Sequence, residues 1–226
     1  MNEERSFWEL TWERLVARER MDPDMPQWRR EWGPDRRYLV FGFEAVGVAE
    51  VVDAAGRIRP ALEALGVTPV PPEGLHLTIR PVGFVDALAD APEVVAAQAA
   101  DALHAAGVAP VEVVGAGSFD DAAILQIAPW GGLREIQRRL LDGVPALASG
   151  RGLAERPAAE GGFAPHVSVA YYEEPIPAGD IVRALKPFRR MTGPRFVVDT
   201  VSLVSIPPPV HAFTWDVVAR FRLDPA

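Results

Sequence analysis

Apolar positions along most of the chain alternate between the period of a strand and the period of a helix. From residue 36 onward, short apolar runs typical of strands are followed by stretches with apolar residues every three or four positions. The predicted strands are 37–45, 75–82, 111–119, 122–130, 166–174, 196–207 and 213–223, and the predicted helices are 48–66, 85–107, 131–147 and 178–188. We expect the last two strands to form a hairpin. No glycine-rich phosphate loop follows a strand, so the pattern favours neither a dinucleotide-binding fold nor a P-loop.

Residues 1–35 follow a different pattern. Trp8 and Trp12 are spaced as on one face of a helix, and Trp28 and Trp32 repeat that spacing after a break at DPDMP. Four of the six tryptophans of the chain therefore lie in this segment. We expect the segment to pack on the rest of the protein, and the alternatives are a lid or a dimer contact.

Composition and charge limit the classes of function. With 226 residues, 49% of them hydrophobic, the chain is long enough for one substantial domain or for two small lobes that share a cleft. No apolar run approaches the ~20 residues of a membrane-spanning helix, and MNEERSFWEL does not resemble a secretory signal, so we expect a cytoplasmic protein without a membrane partner. The absence of cysteine excludes disulfides, thiolate metal sites and cysteine nucleophiles. A net charge of −8 disfavours duplex DNA as a partner but leaves room for a small phosphorylated ligand.

Two three-residue motifs carry the chemistry that the sequence offers. His76-Leu77-Thr78 and His166-Val167-Ser168 lie 90 residues apart, each in a predicted strand and each in the order histidine, apolar residue, hydroxyl residue. Side chains alternate between the two faces of a strand, so each strand presents one apolar face and one polar face. The polar faces are expected to carry His76, Thr78 and Arg80 in one strand and His166, Ser168 and Tyr172 in the other. The repetition predicts a site with approximate two-fold symmetry.

General acid–base catalysis is the chemistry that such a site could perform. Imidazole titrates at about pH 6.5, so near neutrality one histidine can be neutral while its partner is protonated. The hydroxyls of Thr78 and Ser168 could donate hydrogen bonds to a phosphoryl oxygen between them. Two histidines fall short of a zinc ligand set, and neither motif contains a carboxylate. A single such motif would more often be an ordinary core histidine, whereas two in matching contexts favour a functional site.

The two motifs resemble the signature of the 2H phosphoesterase superfamily, in particular the proteins called 2′-5′ RNA ligases or RNA 2′,3′-cyclic phosphodiesterases. GLHLTIRPVGF resembles the HLTL-x-F-x-G segment of that family, and FAPHVSVAYY resembles its F-x-P-H-[ST] strand. The resemblance covers about residues 36–224. It suggests a catalytic domain of 36–226 and a tryptophan-rich extension of 1–35 outside it.

This resemblance implies a bilobal α+β fold in which two pseudo-symmetric antiparallel sheets with outer helices surround a central cleft. It also implies hydrolysis of 2′,3′-cyclic phosphates to 2′-phosphates without a metal or cofactor, with 2′-5′ ligation as the reverse reaction. His76 and His166 would be the catalytic acid–base pair, and Thr78 and Ser168 would bind the phosphate. The substrate would be a cyclic-phosphate nucleotide or a short RNA end.

The sequence departs from the family pattern in two places. Ser168 stands where threonine is common, which preserves the hydroxyl, and AYYEE replaces the Ala-Arg of many RNA-processing members, which weakens the case for an RNA end. Arg80 could instead supply the cation of the cleft, and Tyr172 could donate a hydrogen bond or stack on a base. The alternatives are a solvent-facing charge for Arg80 and simple packing for Tyr172.

Other functions compatible with the same cleft are a non-catalytic nucleotide- or RNA-binding module and a structural, partner-binding protein. The presence of both histidines and both hydroxyls argues against a degenerate binding module. The sequence alone does not identify the physiological substrate, the oligomeric state or which histidine is the base.

Overall fold

The computed structural model of the chain describes residues 3–23, 32–33, 35–144, 163–208 and 214–225. The helices are α1 (Glu3–Ala17), α2 (Ala49–Glu63), α3 (Pro92–Leu103), α4 (Gly131–Gly143) and α5 (Ala178–Leu185). The strands are β1 (Arg20–Met21), β2 (Tyr38–Glu44), β3 (Thr68–Pro69), β4 (His76–Phe84), β5 (Ala109–Ser118), β6 (Ala122–Ala128), β7 (His166–Tyr171), β8 (Ile176–Pro177), β9 (Arg195–Val198), β10 (Thr200–Ile206) and β11 (Asp216–Arg222). Among these residues, no helix is both long enough and apolar enough to cross a bilayer.

The main sheet consists of two antiparallel halves that meet at one point. Its strand order is β11-β10-β2-β4-β7-β6-β5-β9, with β3 paired to β7, while β1 and β8 form a separate two-stranded sheet. Strands β4 and β7, which join the halves, are paired through Leu77 and Val167 alone. The structure thus confirms the predicted α+β fold with two similar halves, and it places the junction inside the two motifs.

One face of the sheet carries the main hydrophobic core. Apolar residues of both motif strands lie there, together with apolar residues of helices α2–α5, and they are almost completely buried: Leu77, Ile79, Val167, Ile58, Val95, Leu133, Ile136, Leu140 and Ile181. Burying a side chain of this size stabilises a fold by about 1.5–3 kcal/mol. This core fixes the orientation of β4 and β7, so that the histidine face of each strand is directed away from helices α2–α5.

The predicted strand 196–207 is wrong as a single strand. The chain forms β9, which pairs with β5 at the far edge of one half, and then β10, which pairs with β2 in the other half. The change of partner occurs at Asp199, which lies between the two strands and whose side chain accepts a hydrogen bond from Thr200. Since both parts have the period of a strand, the sequence pattern does not reveal that the chain passes from one half of the sheet to the other at this point.

Other boundaries differ less. The predicted helix 85–107 begins only at Pro92, and the end of the predicted helix 131–147 lies outside the described residues. The closing hairpin of β10 and β11 is confirmed, although most of its connection, residues 209–213, is also outside the described part.

The tryptophan-rich segment packs on the rest of the protein, as predicted. Trp8 and Trp12 of α1 are each 6% exposed, and Trp32 is completely buried against Tyr38 and Phe84. Trp28 and the rest of residues 24–31 lie outside the described residues.

Candidate active site

The register of the junction brings the two motifs together. Leu77 and Val167 stand directly opposite each other in antiparallel strands, and both are completely buried. The neighbouring positions therefore place His76 beside Ser168 and Thr78 beside His166 on the opposite face of the sheet. The register thus groups two imidazoles and two hydroxyls on one face, next to the Leu77–Val167 pair.

Both imidazoles are oriented in the same way. Nδ1 of His76 lies 2.9 Å from the carbonyl oxygen of Gly74, and Nδ1 of His166 lies 2.9 Å from that of Ala164. A carbonyl oxygen only accepts hydrogen bonds, so in each ring Nδ1 carries the proton. This leaves Nε2 of each histidine as the nitrogen that accepts or releases a proton.

Each imidazole also packs edge-on against an aromatic ring. The rings of His76 and Trp215 are 5.2 Å apart at 72°, and those of His166 and Phe119 are 4.9 Å apart at 86°. Trp215 is held in turn by a hydrogen bond to Glu44. The sequence pattern indicated packing for Trp215 and no site role for Phe119, because each lies next to the end of a strand rather than at a recurring spacing within a motif.

The electrostatic surroundings distinguish the two histidines. Burial lowers the pKa of both imidazoles, and the positive charge of His166 lowers the pKa of His76 further. The carboxylate of Asp121, in the turn between β5 and β6, acts in the opposite direction and raises the pKa of His166. When the pair carries one proton, these two charge effects favour His166 over His76 as its position.

Each motif strand contains a β-bulge immediately after its hydroxyl residue. In β4, Thr78 and Arg80 stand opposite consecutive residues of β2, so Ile79 is the extra residue; in β7, Val169 is the extra residue in the same way. A bulge interrupts the alternation of faces. Beyond Ile79 and Val169, the faces predicted from the sequence are exchanged.

Arg80 was predicted to lie on the histidine face of β4, and this prediction is wrong. Its side chain is 7% exposed and lies on the helix side of the sheet, where the guanidinium donates hydrogen bonds to the carbonyl oxygens of Leu140 and, at 2.9 Å, Val144. These are carbonyls at the C-terminal end of α4, which a cation stabilises. Arg80 is thus neither the cation of the cleft nor a solvent-facing charge.

The prediction for Tyr172 is wrong for the same reason. Its side chain is completely buried in the main core, its hydroxyl lies 2.7 Å from Oγ of Ser118, and burial raises the pKa of the phenol. Tyr172 therefore packs, as the alternative interpretation held. The adjacent Tyr171 takes the histidine face and is only half-buried.

Solved structures of other proteins share this fold. The structure is similar to the crystal structure of TT0787 of Thermus thermophilus, with a TM-score of 0.60 and 21% identity over 82% of this chain and 97% of that one. It is also similar to E. coli LigT complexed with NADP⁺ (TM-score 0.55, 14% identity, 84% and 99% of the two chains) and with 3′-AMP (TM-score 0.55, 15% identity, 84% and 99%). No curated protein matches this chain.

The sequence itself matches a family model. Residues 48–207 match the model described as the 2′-5′ RNA ligase superfamily, and this stretch contains both motifs and well over half of the chain. The protein belongs to the 2′-5′ RNA ligase superfamily, the 2H phosphoesterases that its two motifs resemble.

Proposed function

We propose that this protein is a phosphoesterase that opens 2′,3′-cyclic phosphates to 2′-phosphates by general acid–base catalysis with His76 and His166. The observation that supports this most is the register at Leu77 and Val167, because the residues next to this pair are the histidines and hydroxyls of both motifs. Two such proton-transfer groups beside two hydrogen-bond donors suit a single phosphoryl group.

The charges of the site suggest which histidine is the base. Neutral His76 accepts a proton from water through Nε2 as the water oxygen attacks phosphorus. Protonated His166 gives its proton to the ribose 3′ oxygen as the bond between that oxygen and phosphorus breaks. Thr78 and Ser168 donate hydrogen bonds to the two phosphoryl oxygens that do not react. Asp121 supports this assignment because it raises the pKa of His166.

The reverse reaction uses the same groups with exchanged roles. His166 would then accept the proton of the attacking ribose 3′ hydroxyl, and His76 would protonate the departing water or 5′ oxygen as the cyclic phosphate forms. A 5′-hydroxyl that takes the place of water in the forward reaction would give a 2′-5′ linkage, with His76 as base and His166 as acid. We include this ligase activity in the proposal as the microscopic reverse of the cleavage of a 2′-5′ linkage.

The substrate that we favour is a nucleotide cyclic phosphate or a short RNA end rather than a long strand. The net charge of −8 opposes binding of an extended polyanion. Adenine nucleotides, 3′-AMP and NADP⁺, occupy LigT of E. coli, which has the same fold. With Arg80 buried at α4, phosphate binding rests on the two hydroxyls and on protonated His166.

The test is a product screen with nucleoside 2′,3′-cyclic phosphates and cyclic-phosphate-ended oligonucleotides, in the presence of a chelator. We expect 2′-phosphate products from the unaltered protein. His76→Ala and His166→Ala should each lose about 100- to 10,000-fold in turnover. His104→Ala, a matched control at the end of α3, should lose none.

Two outcomes would contradict the proposal. One is turnover close to that of the unaltered protein in either histidine variant. The other is nucleotide binding, measured by calorimetry, with no product over hours, which would identify a non-catalytic binding module.

A further inference from the structure

We infer that helix α1 is part of the active site, because Trp8 holds Phe119 against His166 and so positions that imidazole. The role given to His166 rests on the proposed function, whereas the contact between α1 and His166 does not. Trp8 is thus a positioning residue, which acts on the site through Phe119.

A continuous series of ring contacts connects α1 to the imidazole. The ring of Trp8 lies 6.2 Å from that of Phe119, and the ring of Phe119 lies 4.9 Å edge-on from that of His166. Trp8 also belongs to the same buried cluster as Ile124, the cross-strand neighbour of Ser168. One side chain of α1 therefore supports the surroundings of both polar residues in the second motif.

Trp8 is itself held in place. Its ring packs edge-on against Phe7 at 5.0 Å and against Trp130 at 5.7 Å. The backbone N–H of Trp130 donates a 2.8 Å hydrogen bond to a carboxylate oxygen of Glu4, which attaches the first turn of α1 to the start of α4. Edge-to-face aromatic pairs add about 0.5–1.5 kcal/mol to the burial of their area, so this cluster resists movement.

The other end of α1 binds the same turn that carries Phe119. Arg18, just after the helix, forms a 2.8 Å ion pair with Asp120. Its neighbour Asp121 is the carboxylate that raises the pKa of His166. Helix α1 and the residue that follows it thus contact the turn between β5 and β6 at Phe119 and at Asp120.

This arrangement is not repeated at the other histidine. The aromatic partner of His76 is Trp215, which is held by Glu44, and Glu44 accepts hydrogen bonds from Ser202 at 2.6 Å and Arg220 at 3.0 Å. A change in α1 should therefore affect His166 and leave His76 as an internal reference. Helix α1 also lies outside residues 48–207, so this support for His166 is separate from the part that matches the family model.

The experiment is an NMR titration of the histidines in the free full-length protein, which has only four. Trp8→Ala should raise the pKa of His166, because burial is what lowers it, and should leave the pKa of His76 almost unchanged. The charged groups around His166 stay in place in the Trp8 variants: His76 and Asp121 are unchanged, Glu4 remains bonded to the backbone of Trp130, and Arg18 remains paired with Asp120. If cyclic phosphates are turned over, kcat should fall about 10- to 100-fold, with a smaller change in KM.

Trp12→Ala is the matched control. Trp12 lies one turn along the same helix and has the same 6% exposure, but it belongs to the main core and lies under the guanidinium of Arg189. Its loss should destabilise the protein to a similar extent without changing the titration of His166. An equal shift of His166 in both variants would overturn the inference.

Trp8→Phe is the conservative variant. The indole N–H of Trp8 has no hydrogen-bond partner within the described part of the chain, so phenylalanine removes no hydrogen bond and keeps a ring against Phe119. We expect a His166 titration close to that of the unaltered protein. If Trp8→Ala does not fold, Trp8→Leu replaces it, since leucine keeps the apolar contact without the aromatic ring.

An unchanged His166 titration in a folded Trp8→Ala or Trp8→Leu variant would overturn the inference, whatever the protein catalyses. A shifted titration in a protein that turns over no cyclic phosphate would support α1 as the positioning element and would contradict the proposed function.

Discussion

At the scale of single residues, the two bulges after the motifs determine which side chains lie on the histidine face. Their extra residues are Ile79 and Val169. Each follows its hydroxyl residue at once, so the alternation of faces holds through His76-Leu77-Thr78 and His166-Val167-Ser168 and then changes. The sequence could predict the four motif residues because they precede the bulge. It could not predict Arg80 or Tyr172, since a bulge is a property of the pairing with a neighbouring strand.

Arg80→Met tests the corrected role of Arg80. The change leaves the carbonyl oxygens of Leu140 and Val144 without their donor, so the free energy of unfolding should fall by about 1–3 kcal/mol. Turnover per folded molecule should not change, since the guanidinium lies on the helix side of the sheet. Urea denaturation and kinetics measure the two quantities separately, and a loss of kcat/KM in the folded variant would contradict this account.

Asp121→Asn tests the assignment of acid and base. Asp121 raises the pKa of His166, so its neutralisation should lower that pKa. His166 acts in its protonated form, and the alkaline limb of the pH–rate profile should therefore move to lower pH. The acidic limb, which reports deprotonation of His76, should move less. A shift confined to the acidic limb would contradict this assignment and would indicate that His166 is the base and His76 the acid.

At the scale of whole elements, the sequence pattern predicts the strands and helices but does not predict which element each one packs on or pairs with. The strands and helices themselves follow from local periodicity, and most were predicted within a few residues. The division of 196–207 into β9 and β10, in opposite halves of the sheet, was not predicted, because both parts have the same period. The same holds for α1: its helical spacing was visible, but its contact with Phe119 depends on the tertiary fold.

Hydrogen exchange tests whether α1 is docked as described. An isolated helix of 15 residues is marginal in water, so protection of its amides reports tertiary packing. We expect the amides of residues 8–15 to exchange far more slowly than those of an unfolded peptide. Exchange near the rate of the unfolded peptide would show that α1 is not held against β5 and β6.

The main sheet is two half-sheets that are paired with each other, among the described residues, through Leu77 and Val167 alone, and we propose that the chemistry takes place there. Because His76 belongs to one half and His166 to the other, neither half contains a complete site. The resemblance of the motifs predicted this arrangement, and the register at Leu77 and Val167 gives its physical basis. The identity of the substrate depends on the walls of the cleft, to which sequence motifs contribute little.

A double-mutant cycle of His76→Ala and His166→Ala tests the central claim most directly, with a nucleoside 2′,3′-cyclic phosphate as substrate and kcat/KM as the measured quantity. Two groups that act together on one phosphorus atom are strongly non-additive, so the double variant should be little slower than the slower single variant. If the two losses multiply, or if either single variant keeps its activity, the histidines do not act as a pair.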